Sequence, residues 1–230
     1  MGLPDTGRIT PPRLPFTSVE KRLINELKTP AAVQRWLNEL PYNREPAGDT
    51  MRGFRGVVRT RTAHCLEAAL FAATVLEQNG YPPLILGFES IDLLDHVIFV
   101  YRTKKGWGSV ARSRDPGLHG RKPLFATPRA LALSYAEGYV DHSGRIKGYC
   151  VLDLRVLDPY NWRLSDGNVW KVEQLLRDWP HRPIVSSDRL FRIRHKRYVE
   201  FIRKNGYKPW KHFKGRDRWT PLPAEFRRRG

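Results

Sequence analysis

Cysteine is scarce in this 230-residue chain: there are two, Cys65 and Cys150. Two thiols cannot build a disulfide framework, and they are compatible with a reducing compartment. Long apolar runs are also missing. The longest, Ala68 to Leu76, is broken by Thr74 and falls far short of the roughly 20 residues that a membrane-spanning helix needs. No early segment joins a charged start to an apolar core and a small-residue cleavage site, which argues against a secretory signal. We therefore expect a cytoplasmic protein with no transmembrane segment. There is no internal repeat, no Gly/Ser linker and no glycine-rich phosphate loop. The seven histidines and two cysteines show no metal-ligand spacing, so neither a metal nor an organic cofactor is expected.

Acidic residues are the other shortage. The chain has 23 Asp and Glu against 41 Lys and Arg, a net charge of +18. The excess is uneven: residues 181–230 hold 16 basic and 4 acidic residues, two-thirds of the net charge. Such a field favours an anionic partner: nucleic acid, an anionic membrane surface or an acidic protein. The apolar share of 40%, with seven Trp, nine Tyr and ten Phe, is enough for a real core and excludes a disordered chain. Oligomeric state is left open.

Three regions follow from the pattern. Residues 1–16 carry four prolines and two glycines and read as an extended N-terminal arm. Residues 17–180 read as one α+β domain. Thr17 and Glu20 form a capping box for a first helix, and Thr29-Pro30 opens a second. Pro41 to Gly56 reads as loop. A helix over about 64–78 stops at Asn79-Gly80. Three strands follow, at 84–88, 96–101 and 106–111, the last two as a hairpin. A short helix from Thr127-Pro128, a strand over 146–154 and a helix over 168–178 complete the domain. Residues 181–230 read as a basic helix and tail packed on it. Arg192, Lys196, Arg203 and Lys204 lie on that helix, where interleaved apolar residues should dock and leave a basic outer face able to bind an anion. Trp210, Phe213 and Trp219 beyond it strengthen that expectation.

The chemistry points to Cys65. It stands in the first turn of its helix, where unpaired N–H groups and the helix dipole favour the thiolate. His96 opens an apolar strand and could meet the helix tip as the acid–base partner. His64 is nearer in sequence, but neighbours on a helix diverge by about 100 degrees, so it should not face the thiol. Asp115, the one acid between Tyr101 and Tyr135, could orient the imidazole. Cys150 reads as buried and structural.

The stretches AHCLEAALFAATVLEQNGYPPLIL, DHVIFVY and WGSVARSRDPGLHGRKP resemble a little-characterised branch of the transglutaminase-like superfamily. The resemblance covers about residues 58–122. It implies a papain-like core whose Cys helix packs on an antiparallel sheet, with a catalytic triad of Cys65, His96 and Asp115. One departure stands out. The family's acid falls near where Ala111 or Arg112 stands here, so Asp115 comes late, and Ser113 or a backbone carbonyl could take its role. Trp107, Ser113, His119 and Arg121 are candidate substrate-binding residues, with Arg121 suited to a carboxylate or phosphate. The Cys65 N–H is the natural first oxyanion donor; the segment 57–63 or the Trp107 indole could supply a second. The expected function is thiol-dependent acyl chemistry on a peptide or amide substrate, by hydrolysis or transfer. The alternatives are a catalytically silent module that binds an anionic partner, or a structural subunit of a larger assembly.

Overall fold

The computed structural model describes residues 6–91, 96–139, 145–185, 187–206 and 213–227. Trp210, named above, lies outside them. The fold is α+β. Four helices come first: α1 (Ser18–Glu26), α2 (Pro30–Glu39), α3 (Phe54–Thr60) and α4 (Cys65–Glu77). Then come β1 (Leu84–Ser90), β2 (His96–Thr103), β3 (Gly106–Val110), β4 (Arg121–Phe125), α5 (Pro128–Leu133), β5 (Ile146–Asp153), α6 (Trp170–Asp178), β6 (Arg182–Pro183), α7 (Asp188–Asn205) and α8 (Ala224–Arg227). The strands form one antiparallel sheet in the order β4-β3-β2-β1-β5-β6.

Helix α4 is apolar but for Glu67, Thr74 and Glu77, and all but its first residue are buried. The four alanines Ala68, Ala69, Ala72 and Ala73 let it lie close against its neighbours, as a helix without a solvent face must. Trp36 of α2 stacks on Phe71 at 4.2 Å, and Phe54 of α3 sits 5.5 Å from the same ring. One sheet face, with Ile85, Val97, Phe99 and Leu152, joins this core. The opposite face, with Leu86, Ile98, Val100 and Trp107, packs on α5 and on Tyr135 and Tyr139. The alternation follows from the two-residue period of a strand. The arm is laid along this body: Ile9 donates to Gly80 O at 3.0 Å, and Phe16 meets Phe54 edge-on at 5.8 Å.

Three elements depart from the sequence reading. Part of the expected loop before Gly56 is α3, and β4 begins at Arg121 in a segment to which the sequence reading assigns no strand. The apolar residues of α7 do not all dock. Tyr198 is buried, but Leu190 and Ile193 are 52% and 55% exposed. The tail docks better: Phe213, Trp219 and Leu222 form a small buried cluster, and Thr220 N donates to Gly120 O at 3.1 Å.

Candidate active site at the tip of helix α4

The site is built on a buried carboxylate. Glu67, in the first turn of α4, is fully buried. It accepts from Asn43 Nδ2 (3.1 Å), Thr50 Oγ1 (2.9 Å), Arg52 N (3.1 Å), Arg52 Nε (2.6 Å), Arg52 Nη2 (2.8 Å) and His64 N (3.0 Å). Burial pushes its carboxyl up, but the Arg52 bonds and the charge of His64 outweigh that and hold it down at about 2. A negative charge here also suits the helix N-terminus. The consequence is geometric: residues 43–52 are tied to the helix tip.

Cys65 is the first residue of α4 and is partly exposed. Both His64 and His96 reach its thiol. Burial pushes the thiol up, but the hydrogen bonds and charges of the two imidazoles prevail and bring it down to about 5. His64 faces the thiol, contrary to expectation. The divergence of about 100 degrees holds only between residues inside a helix. His64 is the N-cap, with extended backbone at φ −87° and ψ −175°, so the helical rule does not place its side chain. Its Nε2–H donates to Thr50 O at 2.9 Å, with Glu67 Oε1 3.7 Å away. Burial lowers its pKa, but the Cys65 thiolate and Glu67 raise it further, to about 9. His64 is therefore a cation beside the sulfur at neutral pH.

His96 opens β2 and is 3% exposed. Its ring lies parallel to Phe88 at 6.0 Å and 6.3 Å from Tyr135. Its Nε2–H donates to the Leu118 carbonyl at 2.8 Å. With Nε2 so engaged, Nδ1 is the nitrogen left for the thiol proton. The hydrogen-bond acceptor here is thus a backbone carbonyl. Asp115 acts one step back: its Oδ1 accepts from Gly117 N at 2.6 Å and its carbonyl from Leu118 N at 3.2 Å. It caps the short 3₁₀ turn Pro116–Leu118 that presents the Leu118 oxygen.

The other expected substrate contacts are interior groups. Arg121, read as a cleft-mouth anion binder, is 1% exposed. Its guanidinium donates to His119 O and Gly117 O, both at 2.6 Å, and lies 4.0 Å over Tyr135. His119 is fully buried and donates from Nε2 to Ser113 O at 2.8 Å. Ser113 Oγ accepts from Asp115 N at 3.0 Å. Trp107 is buried in the core on the far face from α4, so its indole is no oxyanion donor here. A loop sequence full of basic residues gives no sign that its carbonyls converge, and that convergence is what buries Arg121. Cys150 is buried, as expected.

What opens beside the thiol is apolar. A cavity of about 360 Å³ is lined by Cys65 and His64, by Met51, Leu66, Phe88, Val97 and Leu176, and by charged groups that include Glu173 and Arg177. Glu173 and Arg177 pair with each other at 2.8 Å. Among the described residues, no cluster of His, Cys, Asp or Glu could hold a metal ion, and no helix is long and apolar enough to cross a membrane. No known protein family matches the chain, and a comparison with curated proteins finds no match either.

Proposed function

We propose that this is a transglutaminase-like cysteine enzyme that performs acyl chemistry on an amide or peptide bond. The observation that supports this reading best is the tip of α4. There a partly exposed thiol, held down to about 5, is reached by two imidazoles beside an apolar cavity. Cys65 Sγ attacks the substrate carbonyl. His96 Nδ1 holds the thiol proton and returns it to the leaving amine. A thioester remains on Cys65, and water or a second amine releases it. The cationic His64 stabilises the thiolate between turnovers. Leu118 O fixes the His96 tautomer in place of an acid. The cavity suits an apolar group on the acyl side, since its lining offers mostly hydrocarbon, and two of its ionic groups, Glu173 and Arg177, pair with each other.

The test is acyl-enzyme trapping. p-Nitrophenyl acetate should add one acetyl group at Cys65, read by mass spectrometry. Cys65→Ala should remove the adduct and His96→Ala should slow its formation. Acetylation spread over lysines, with none at Cys65, would refute the reading.

One observation favours a second reading. Arg192, Lys196, Arg203 and Lys204 are all exposed along α7, with Leu190 and Ile193 exposed among them. This supports binding of an anionic polymer such as nucleic acid, independent of Cys65. Retention on single-stranded nucleic acid that falls steeply with salt, and is lost when the four basic residues are replaced, would support it. Salt-independent elution would exclude it.

A further inference from the structure

Acyl transfer needs more than a nucleophile. When sulfur adds to a carbonyl, the π pair moves to oxygen, and donors must meet the charge that develops there. The amide of Cys65 is one such donor, at a helix end whose first N–H groups have no partner within the helix. The second donor comes from neither place considered from sequence.

Pro41, Tyr42 and Asn43 run beside the approach to α4. Tyr42 pairs with Ala63 in a single parallel bridge. Asn43 N donates to Ala63 O at 3.1 Å and Ala63 N to Pro41 O at 3.4 Å. These bonds fix the Tyr42 backbone against the residues that lead into the helix. The side chain of Asn43 is tied to Glu67 and Thr50. The Arg112 guanidinium, itself buried and bonded to Leu40 O at 2.9 Å, lies 5.8 Å from the Tyr42 ring. The hydroxyl oxygen so placed accepts from the Cys65 amide N–H and lies beside the Cys65 thiol. Tyr42 is half-buried and does not line the apolar cavity, so it approaches the sulfur from another side.

We propose that the Tyr42 hydroxyl is the second oxyanion donor, acting together with the Cys65 N–H; this rests on the acyl-chemistry reading above. Tyr42 forms no covalent bond and gives up no proton. As the C–S bond forms, the carbonyl oxygen takes the Cys65 N–H over from the Tyr42 oxygen, and the Tyr42 O–H donates to that same carbonyl oxygen. The bond relaxes when the pair falls back and the amine leaves with the proton from His96. Burial and the neighbouring thiolate push the phenol above its ordinary range, so it stays protonated, and a donor, at neutral pH.

Two electrophiles separate this role from its rivals. p-Nitrophenyl acetate reacts through a tetrahedral oxyanion. Iodoacetamide reacts at a saturated carbon and makes none. Tyr42→Phe keeps the ring and removes the donor. It should slow acetylation of Cys65 by about 100-fold, as loss of one oxyanion donor does elsewhere. Alkylation of the same thiol at the same pH should stay within about twofold, because the thiolate is untouched. The unchanged alkylation also reports that the variant has kept its site. Equal acetylation by variant and wild type would overturn the inference while leaving the acyl chemistry standing. A parallel fall in both reactions would overturn it too, by placing Tyr42 on the thiolate or on the fold. No acetylation of Cys65 in the wild-type protein would sink the underlying reading and this inference with it.

Discussion

The ionisation of Cys65 makes a quantitative prediction that needs no substrate. The perturbation is pH, and the assay is the second-order rate of iodoacetamide alkylation at Cys65, read by mass spectrometry with buried Cys150 as an internal control. A thiol held at about 5 is roughly nine-tenths ionised at pH 6. A free thiol near about 8.5 is then about 0.3% ionised, so Cys65 has roughly 300 times more thiolate. A less basic thiolate is a weaker nucleophile. With a Brønsted slope of about 0.45 over roughly 3.5 pH units, that costs about 40-fold. Cys65 should therefore alkylate about eight times faster than a free thiol at pH 6, with the two curves crossing near about pH 7 and the free thiol faster above. The sign of a second step follows from His64. Its pKa is raised to about 9, so its positive charge is present below that pH and lost above it. The thiolate then loses a stabilising neighbour and the rate should rise again. Removing either imidazole, by His64→Ala or His96→Ala, should move the first midpoint up towards the free-thiol value. A single midpoint near about 8.5, indifferent to both substitutions, would refute the whole account of the site.

Two further outcomes follow from the same geometry. Asp115→Asn should leave the Cys65 titration in place, because asparagine caps a turn as well as aspartate; Asp115→Ala should raise it by loosening Leu118. A shift in the asparagine variant, measured by the same alkylation profile, would restore Asp115 as an electrostatic partner of His96. Glu67 should make the protein acid-sensitive. Its carboxyl is held at about 2 in the folded state, below the unfolded value of about 4.3, so its contribution is fully present above about pH 4.3 and lost as pH falls towards 2. That contribution is on the order of 3 kcal/mol. Urea unfolding at pH 5 and pH 2.5 should lose most of that difference in Glu67→Gln, and an unchanged pH dependence there would disprove it.

The parts of the site that sit on regular elements were legible in the sequence. The apolar run after Cys65, the stop at Asn79-Gly80 and the polar turn between two apolar strands are local signals, and α4, β2 and β3 lie where those signals put them. Tyr42 was not legible. It lies in a stretch with no period, and what brings it to Cys65 is a bridge to Ala63 together with the ties between Asn43 and Glu67. His64 escapes the sequence for a different reason: helical spacing does not govern a residue just outside the helix. Arg121 and His119 were misplaced because a charged residue in a glycine-rich loop reads as solvated, whereas three carbonyl groups and two aromatic rings bury it. For Tyr42 the partners lie far apart in sequence, which periodicity and spacing do not report.

The docking of Phe213 makes the tail part of what supports the thiol. A Cβ added to Gly117 would lie 2.6 Å from the Phe213 ring, so the tail is pressed against the turn that presents Leu118 to His96. Trp219 pairs with Arg121 just beyond that turn. The reactive centre therefore draws on residue 42 at one extreme and residues 213–219 at the other. Removing the Phe213 ring, as in Phe213→Ala, should therefore let that turn relax and loosen the Leu118 carbonyl from His96. A side chain about 150 residues from the thiol in sequence thus braces its acid–base partner.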